Sequence, residues 1–233
     1  MIKRALVLLF LFALGTLFVE LLLTYTPDTQ LNQTGRYYAE HSAQDLGTAN
    51  ITTAIIVTYR GLDTLGEVTV LFLTAAIVGV LLSRGDHKGK SLQRKLPQSG
   101  ELLTTGSYLL VPLILLLGAY VFINGHLTPG GGFQGGAIIA SAILLMLLTD
   151  PLRHFSHSII AAVESISGLF FIGLGVLGIF YAGGFLDNRL LPLGELGSLF
   201  SAGVIPIIYS FIGLKVGAEF SSMLVNLSET EDT

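Results

Sequence analysis

An all-α, polytopic membrane protein of about six transmembrane helices is the fold class that this sequence predicts, and three observations predict it. Hydrophobic residues fill 52% of 233 positions and charged residues only 12%. Six long stretches carry no charge: 5–19, 68–83, 102–123, 127–149, 165–186 and 196–214. A bilayer core about 30 Å thick needs roughly 20 apolar residues per helix, so most stretches are long enough and the two shorter ones extend through a flanking polar residue. The basic residues are distributed asymmetrically: with the N-terminus inside, Lys3, Arg4, Arg84, Lys88, Lys90, Arg94, Lys95 and Arg153 are cytoplasmic and only Arg36 and Arg189 lie outside. That asymmetry orients both termini toward the cytoplasm.

Taken in order, the first stretch follows a basic start, Met1-Ile2-Lys3-Arg4, as a cleavable signal would. It is long for a signal core, and Leu22-Leu23-Thr24-Tyr25 offers no small-x-small cleavage site, so a retained anchor is expected. A helix running from Ile51 to Ser83 would be about 50 Å long, which demands a tilt or a bend at Gly61. Residues 85–100, with Gly85, Asp86, Gly89, Pro97 and Gly100 among basic residues, read as a cytoplasmic linker. It divides a two-helix region, 1–84, from a four-helix domain, 101–226, and an acidic tail, 227–233, follows. Zero cysteines exclude disulfides, cysteine-held iron–sulfur clusters and covalent haem attachment. No cofactor or metal site is expected: the one histidine pair at close spacing, His154 and His157, falls at a helix end and reads as solvated surface.

Ionisable residues at membrane depth are costly, so each is a functional candidate, although pairing within the bundle explains many of them. In TYRGLDTLGEVTVL, 58–71, Arg60, Asp63 and Glu67 recur at i, i+3 and i+7 and share one helical stripe. Counting back from Ser83, Glu67 lies about 24 Å along the helix, deep enough to require desolvation, either as an ion carrier or as a buried partner of Arg60. Lys215 and Glu219 lie four apart, about a third of the way in from the cytoplasmic end of the last helix, while Glu164 begins the preceding helix from the same side. These three form either a proton relay or a salt bridge between those two helices.

The stretch GHLTPGGGFQGGAIIA, 125–140, opens the fourth helix with Pro129, Gly130, Gly131, Gly132, Phe133, Gln134, Gly135 and Gly136. Its glycines admit a second helix to backbone contact, and the Pro-Gly-Gly-Gly run predicts a broken or re-entrant helix start. It is no phosphate loop, since GxxxxGK[ST] is absent. His126 at its head ordinarily changes charge near neutral pH, so it is read either as a proton-handling group at the outer mouth or as a hydrogen-bonding cap on the helix break.

This stretch closely resembles the G-H-x-x-P-G-G-G-F-Q-G-G signature of the MnhB family, the B subunit of Mrp-type multisubunit sodium/proton antiporters and its counterparts in membrane-bound hydrogenases. The segment TYRGLDTLGEVTVL resembles the C-terminal end of the large MrpA subunit, which in the hydrogenase relatives is a small separate polypeptide, MbhE. Together the two resemblances cover essentially the whole chain. They imply that His126, Pro129 and Phe133 match B-subunit positions associated with transport, and that Arg60, Asp63 and Glu67 match the charged stripe of the MrpA tail. Implied partners are the A-, C-, D-, E-, F- and G-like antiporter subunits, Na+, H+ and the lipid bilayer of a prokaryotic cytoplasmic membrane, with no nucleic acid. The fusion of an MrpA-like tail directly to a B-like domain departs from the usual arrangement and leaves open a free-standing antiporter or the ion-translocating part of a redox complex.

Two functional classes follow. In one, the chain is an accessory transport subunit with Glu67 as carrier and His126 at the outer mouth; in the other, it is an adaptor that brings larger subunits together. No internal inverted repeat makes it sufficient for transport alone, and no residue pattern supports an enzyme.

Overall fold

The computed structural model describes residues 2–25, 30–85, 100–150 and 153–231. The chain forms two units, 1–37 and 38–233. Helix α1 (Ile2–Thr24) belongs to the first and is exposed along its length; α2 (Gln33–Leu46) begins in the first unit and ends in the second. The second unit continues with a one-turn helix α3 (Ile51–Thr53), α4 (Gly61–Gly85), α5 (Glu101–Ile123), α6 (Gly132–Thr149), α7 (His157–Tyr181) and α8 (Ile205–Glu231). Among the described residues six helices, α1 and α4 to α8, are long and apolar enough to cross a membrane. Of the predicted linker, 85–100, residues 86–99 lie outside the described residues, as do positions 232–233 of the tail; Gly85 ends α4 and residues 227–231 continue α8.

Helix α8 is the axis of the second unit. Just over half of its membrane span is buried, 56%, against 6% for α4, and Ile205, Ile208, Ile212 and Val216 form a buried stripe at three- and four-residue spacing. Helices α4, α6 and α7 pack directly on it, and α5 packs mainly on α6. Between apolar helices in lipid there is no water to expel, so close van der Waals packing must hold them together. The glycines make that packing possible. A Cβ on Gly135 would stand 2.7 Å from the Gly118 carbonyl oxygen of α5, and one on Gly136 would stand 2.7 Å from the Gly213 carbonyl oxygen of α8. Consecutive glycines on α6 thus face opposite neighbours, each at backbone contact.

The bend expected near Gly61 is a change of helix type. From Ala54 to Tyr59 the chain is π-helical, ended by Arg60 at φ −126° and ψ 38°, whose N–H donates to the Ile55 carbonyl at 2.8 Å. Thr64 reaches back across the interruption and its hydroxyl donates to the Ile56 carbonyl at 2.7 Å, which satisfies an acceptor that the break would strand. Gly61 allows α4 to start against Phe185 and Leu186, whose atoms a Cβ would meet at 3.2 Å.

Three boundaries differ from those expected. Residues 196–204 are loop, and α8 starts at Ile205 and runs through Lys215 and Glu219 to Glu231; hydropathy alone had favoured counting the uncharged 196–204 stretch as part of the last helix. Helix α7 starts at His157, two turns before Glu164. Helix α6 is neither broken nor re-entrant: it is continuous from Gly132, and the 124–131 segment is a turn that joins it to α5. Gly130 and Gly131 take φ of +149° and +159° there, a backbone region that residues with a Cβ rarely occupy.

Overpacking at the α6–α8 contact should therefore cost more than a helix gains from alanine. Gly136→Ala is expected to destabilise the detergent-solubilised chain by about 1–3 kcal/mol, whereas Gly173→Ala, where a Cβ would meet nothing within 4 Å, should be neutral or stabilising by up to about 1 kcal/mol. Thermal unfolding of the two variants beside the parent chain distinguishes them; equal melting temperatures would overturn the packing account.

Candidate functional site

The polar residues of the second unit include three groups: a cap at one end, an ion pair in mid-bundle and an exposed set at the start of α4. One end is capped by the 47–50 segment, the 124–131 turn and the 182–204 loop. Asn50 joins the first two of these: its side-chain amide donates to the carbonyls of Gly125 at 2.9 Å and Thr128 at 3.0 Å, while its oxygen accepts from the Thr53 N–H and caps α3. Thr48 and Thr53 donate to the carbonyls of His126 and Gly125 at 2.7 and 2.6 Å. Tyr209 of α8 completes the junction, with its hydroxyl 3.2 Å from that of Thr53. Asn188 ties the third segment in by donating to the Leu46 carbonyl at 2.7 Å.

His126 is fully buried within this cap. Its Nε2 lies 3.4 Å from the Ser198 carbonyl; a carbonyl only accepts, so Nε2 carries the proton and Nδ1 faces the interior without a hydrogen-bond partner. Burial lowers the pKa of the ring below its ordinary 6.5, and the backbone hydrogen bond at Ser198 opposes that shift without cancelling it. The ring is neutral at neutral pH. Of the two expectations for His126, a proton-handling group at the outer mouth or a hydrogen-bonding cap on the helix start, the geometry describes an enclosed side chain whose backbone carbonyl accepts from Thr48. Pro129 and Gln134 are exposed, and Phe133 packs against the hydrophobic core.

The second group lies in the middle of the bundle. Lys215 and Glu219 form an ion pair of 2.6 Å within α8, with side-chain exposures of 10% and 0%. The lysine stem lies against α7 at Gly168, where a Cβ would stand 3.5 Å from Cδ, and its ammonium lies 5.0 Å from the centroid of the Phe72 ring on α4. Gly168 provides the room that a larger residue would occupy. Only one oxygen of Glu219 is engaged; Oε2 is buried with no hydrogen-bond partner. Glu164 is half-buried, one turn from Gly168 on the same face of α7. The predicted triad is therefore brought to one region, but the salt bridge runs within α8 rather than between helices, and Glu164 makes no hydrogen bond to it. The pair also sits nearer mid-helix than expected, since α8 continues twelve residues past Glu219.

At the opposite end His157 meets Glu229 at 2.9 Å, tying the start of α7 to the end of α8. Along α8 the polar positions Tyr209, Lys215, Glu219 and Glu229 thus succeed one another at about 9, 6 and 15 Å.

The third group, Arg60, Asp63 and Glu67, is not a buried stripe. Arg60 and Asp63 form an ion pair with side chains more than half exposed. Glu67 is exposed, and it is not the buried partner of Arg60 that its depth suggested. In the cap, Asp187 receives Arg189 at 2.5 Å, and the arginine holds the carboxylate below its usual pKa against the opposing effect of burial. Sequence reasoning missed Asn50, Thr53, Asn188 and Tyr209. An Asn-Ile-Thr-Thr start before an apolar run pointed to Asn50 and Thr53, and a tyrosine six residues before Lys215 on the same helix pointed to Tyr209; no local signal marked Asn188.

Comparison with known proteins places both halves. A family model described as a domain related to the MnhB subunit of Na+/H+ antiporters matches residues 102–222, and the MbhE model, which describes a subunit of MBH, matches residues 4–98. An uncharacterized protein of Methanocaldococcus jannaschii is 32% identical over 77% of each chain. A probable A/B subunit of a K+/H+ antiporter from Rhizobium meliloti is 29% identical over 70% of this chain, which spans only 20% of that relative. Among solved structures, a chain of the membrane-bound sulfane sulfur reductase, an archaeal respiratory membrane complex, superposes with a TM-score of 0.78 at 38% identity over 97% of this chain and 98% of its own. A chain of the Mrp complex from Dietzia sp. DQ12-45-1b gives 0.77 at 25% identity over 97% of this chain and 26% of its own.

The enclosure of His126 has a consequence for acid stability. Above pH 6.5 the imidazole is neutral both folded and unfolded; as the pH falls below that value only the unfolded chain takes up the proton readily, so stability is lost toward the depressed folded pKa. His126→Asn should flatten the decline in melting temperature between pH 7 and about 5, whatever it does to stability at pH 7. Parallel pH profiles for the two proteins would contradict a buried neutral ring.

Proposed function

The chain belongs to the family of MnhB-related antiporter subunits, and on that premise we propose that it serves a Mrp-type multisubunit cation/proton antiporter by handling protons at Glu219, with Lys215 as its counter-charge and Glu164 on the side of the His157–Glu229 end. It is a multi-pass membrane subunit, and its partners are the other subunits of such a complex. The observation that carries the proposal is the ion pair itself. Two opposite charges buried in mid-bundle cost more in desolvation than an apolar pair of similar size would, and only one oxygen of the carboxylate is used. A carboxylate held half-satisfied beside a lysine can accept a proton when the lysine turns away from it, and the lysine already lies against Phe72 of α4 and Gly168 of α7. Sodium is the cation that the family description names; a relative named for potassium makes potassium the alternative.

The orientation proposed from the basic residues puts the capped end outside a prokaryotic cytoplasmic membrane and both termini inside. Protons then reach Glu219 from the cytoplasmic side past Glu164. His126, Thr53 and Tyr209 form a neutral, hydrogen-bonded seal at the outer end, which supports a scaffold role for the histidine rather than a relay.

A second reading places the same subunit in a redox complex related to membrane-bound hydrogenases. It rests on the sulfane sulfur reductase chain, which matches from end to end with both halves fused in one polypeptide of similar length. The chemistry proposed for Glu219 is the same in both settings, because this chain contributes to the ion-translocating part in either.

Glu219→Gln keeps shape and hydrogen bonding but removes the titratable charge. Cation-dependent proton movement in vesicles should fall at least about tenfold with subunit content unchanged, a loss of about 1.4 kcal/mol or more in transition-state terms. Lys215→Met should instead impair assembly, since an unpaired buried carboxylate costs about 3–5 kcal/mol. Wild-type transport by Glu219→Gln would sink the proposal. Orientation is tested separately with Phe200→Cys in the exposed cap loop: an impermeant maleimide added to intact cells, with an outer membrane permeabilised where one is present, should label it, and labelling only after lysis would invert the topology.

A further inference from the structure

We propose that Glu67 marks the docking surface for a transmembrane helix of a different subunit, one that presents a lysine or arginine at the depth of this carboxylate. The inference rests on the reading of the chain as one subunit of a larger complex and goes beyond it by naming the face and the chemistry of its occupant. Glu67 lies six residues into α4, about 9 Å from the start of the helix, and is exposed. It belongs to a continuous exposed stripe, Glu67, Val70, Thr74, Ile77 and Leu81, spaced alternately by three and four residues, which is the seam of a helix that packs against another helix. Lipid can cover most of that seam. Val70, Ile77 and Leu81 are apolar, and the hydroxyl of Thr74 is satisfied by its own helix, donating to the Val70 carbonyl at 2.8 Å. Glu67 has no such recourse: a carboxylate carries acceptors only, and Arg60, the one cation on its own helix face, is engaged by Asp63. A bare carboxylate against acyl chains is too costly to leave uncovered.

Charge complementarity identifies the occupant. Helix α1 does not qualify, because its only ionisable residue beyond Lys3 and Arg4 at its start is Glu20, of like sign. A second copy of this chain does not qualify either: α4 against α4 opposes Glu67 to Glu67, and the one lysine at membrane depth, Lys215, is enclosed and paired. The surface therefore fits a helix from another polypeptide with a cation facing the seam.

The absence of cysteine from the sequence permits a direct test in the intact complex. Val70→Cys and Thr74→Cys, each carrying a thiol-linked photo-crosslinker, should both capture the same polypeptide, and mass spectrometry of the adduct should locate a helix with a lysine or arginine level with Glu67. Glu67→Lys should then reduce recovery of that partner about tenfold relative to the others, and changing the identified cation to Glu in the same complex should restore it. Glu67→Gln, which lacks the repulsion, should lose less. Adducts to lipid alone while the other subunits still copurify, a captured helix without a basic residue, or a charge exchange that restores nothing would each overturn the inference and leave the multisubunit reading standing. Failure of the parent chain to copurify with any other subunit would instead overturn that reading, and this inference with it.

Discussion

Everything in the second unit depends on α6 touching α5 and α8 at the same level through adjacent glycines. Gly135 and Gly136 leave no side chain on either flank, so the carbonyls of Gly118 and Gly213 come to backbone contact with α6. That approach fixes α8 at the centre, where its buried stripe is enclosed and its two charges are kept from lipid. Larger residues would hold the three helices apart, and the gap would open beside Lys215 and Glu219. In a bilayer no hydrophobic driving force would close it again. The glycines are therefore packing elements first, and their effect on the charged site is indirect.

The cap follows from the same geometry at its end. Because the α5–α6 turn is short and its carbonyls point inward, Asn50, Thr48 and Thr53 can satisfy them from a separate stretch of chain. Hydrogen bonds to backbone thereby add to the side-chain packing of α4 on α8 in fastening the MrpA-tail-like half to the B-like half. Such bonds tolerate sequence change around the turn while holding its shape. Burial of His126 completes the closure and leaves the ring neutral.

Much of the fold was legible in composition, because a charge-free stretch of bilayer length has few alternatives. The glycine contacts were legible too, since only a missing Cβ explains so many glycines inside a helix. What misled was the use of uncharged length to place a helix start: residues 196–204 are uncharged enough to extend the last helix, yet they are loop and α8 begins at Ile205. Exposure was the other blind spot. Periodicity put Arg60, Asp63 and Glu67 on one face but could not say which way the face turns, and the structure turns it outward. The cap was hidden for a different reason: its contacts join residues more than seventy positions apart, and no local pattern reports that.

The direction in which that face turns is decided upstream of it. Six residues wound as a π-helix, Ala54 to Tyr59, hold more chain per turn than an α-helix would, so they act as a phase shifter for α4. Each residue of an α-helix advances the azimuth by about 100°; losing one residue from the π segment would rotate α4 by roughly that angle relative to the cap. Glu67 would then swing away from its present outlook without any change to α4's own sequence. The angular setting of a membrane helix is in this case a matter of counting, held in six residues upstream of the seam.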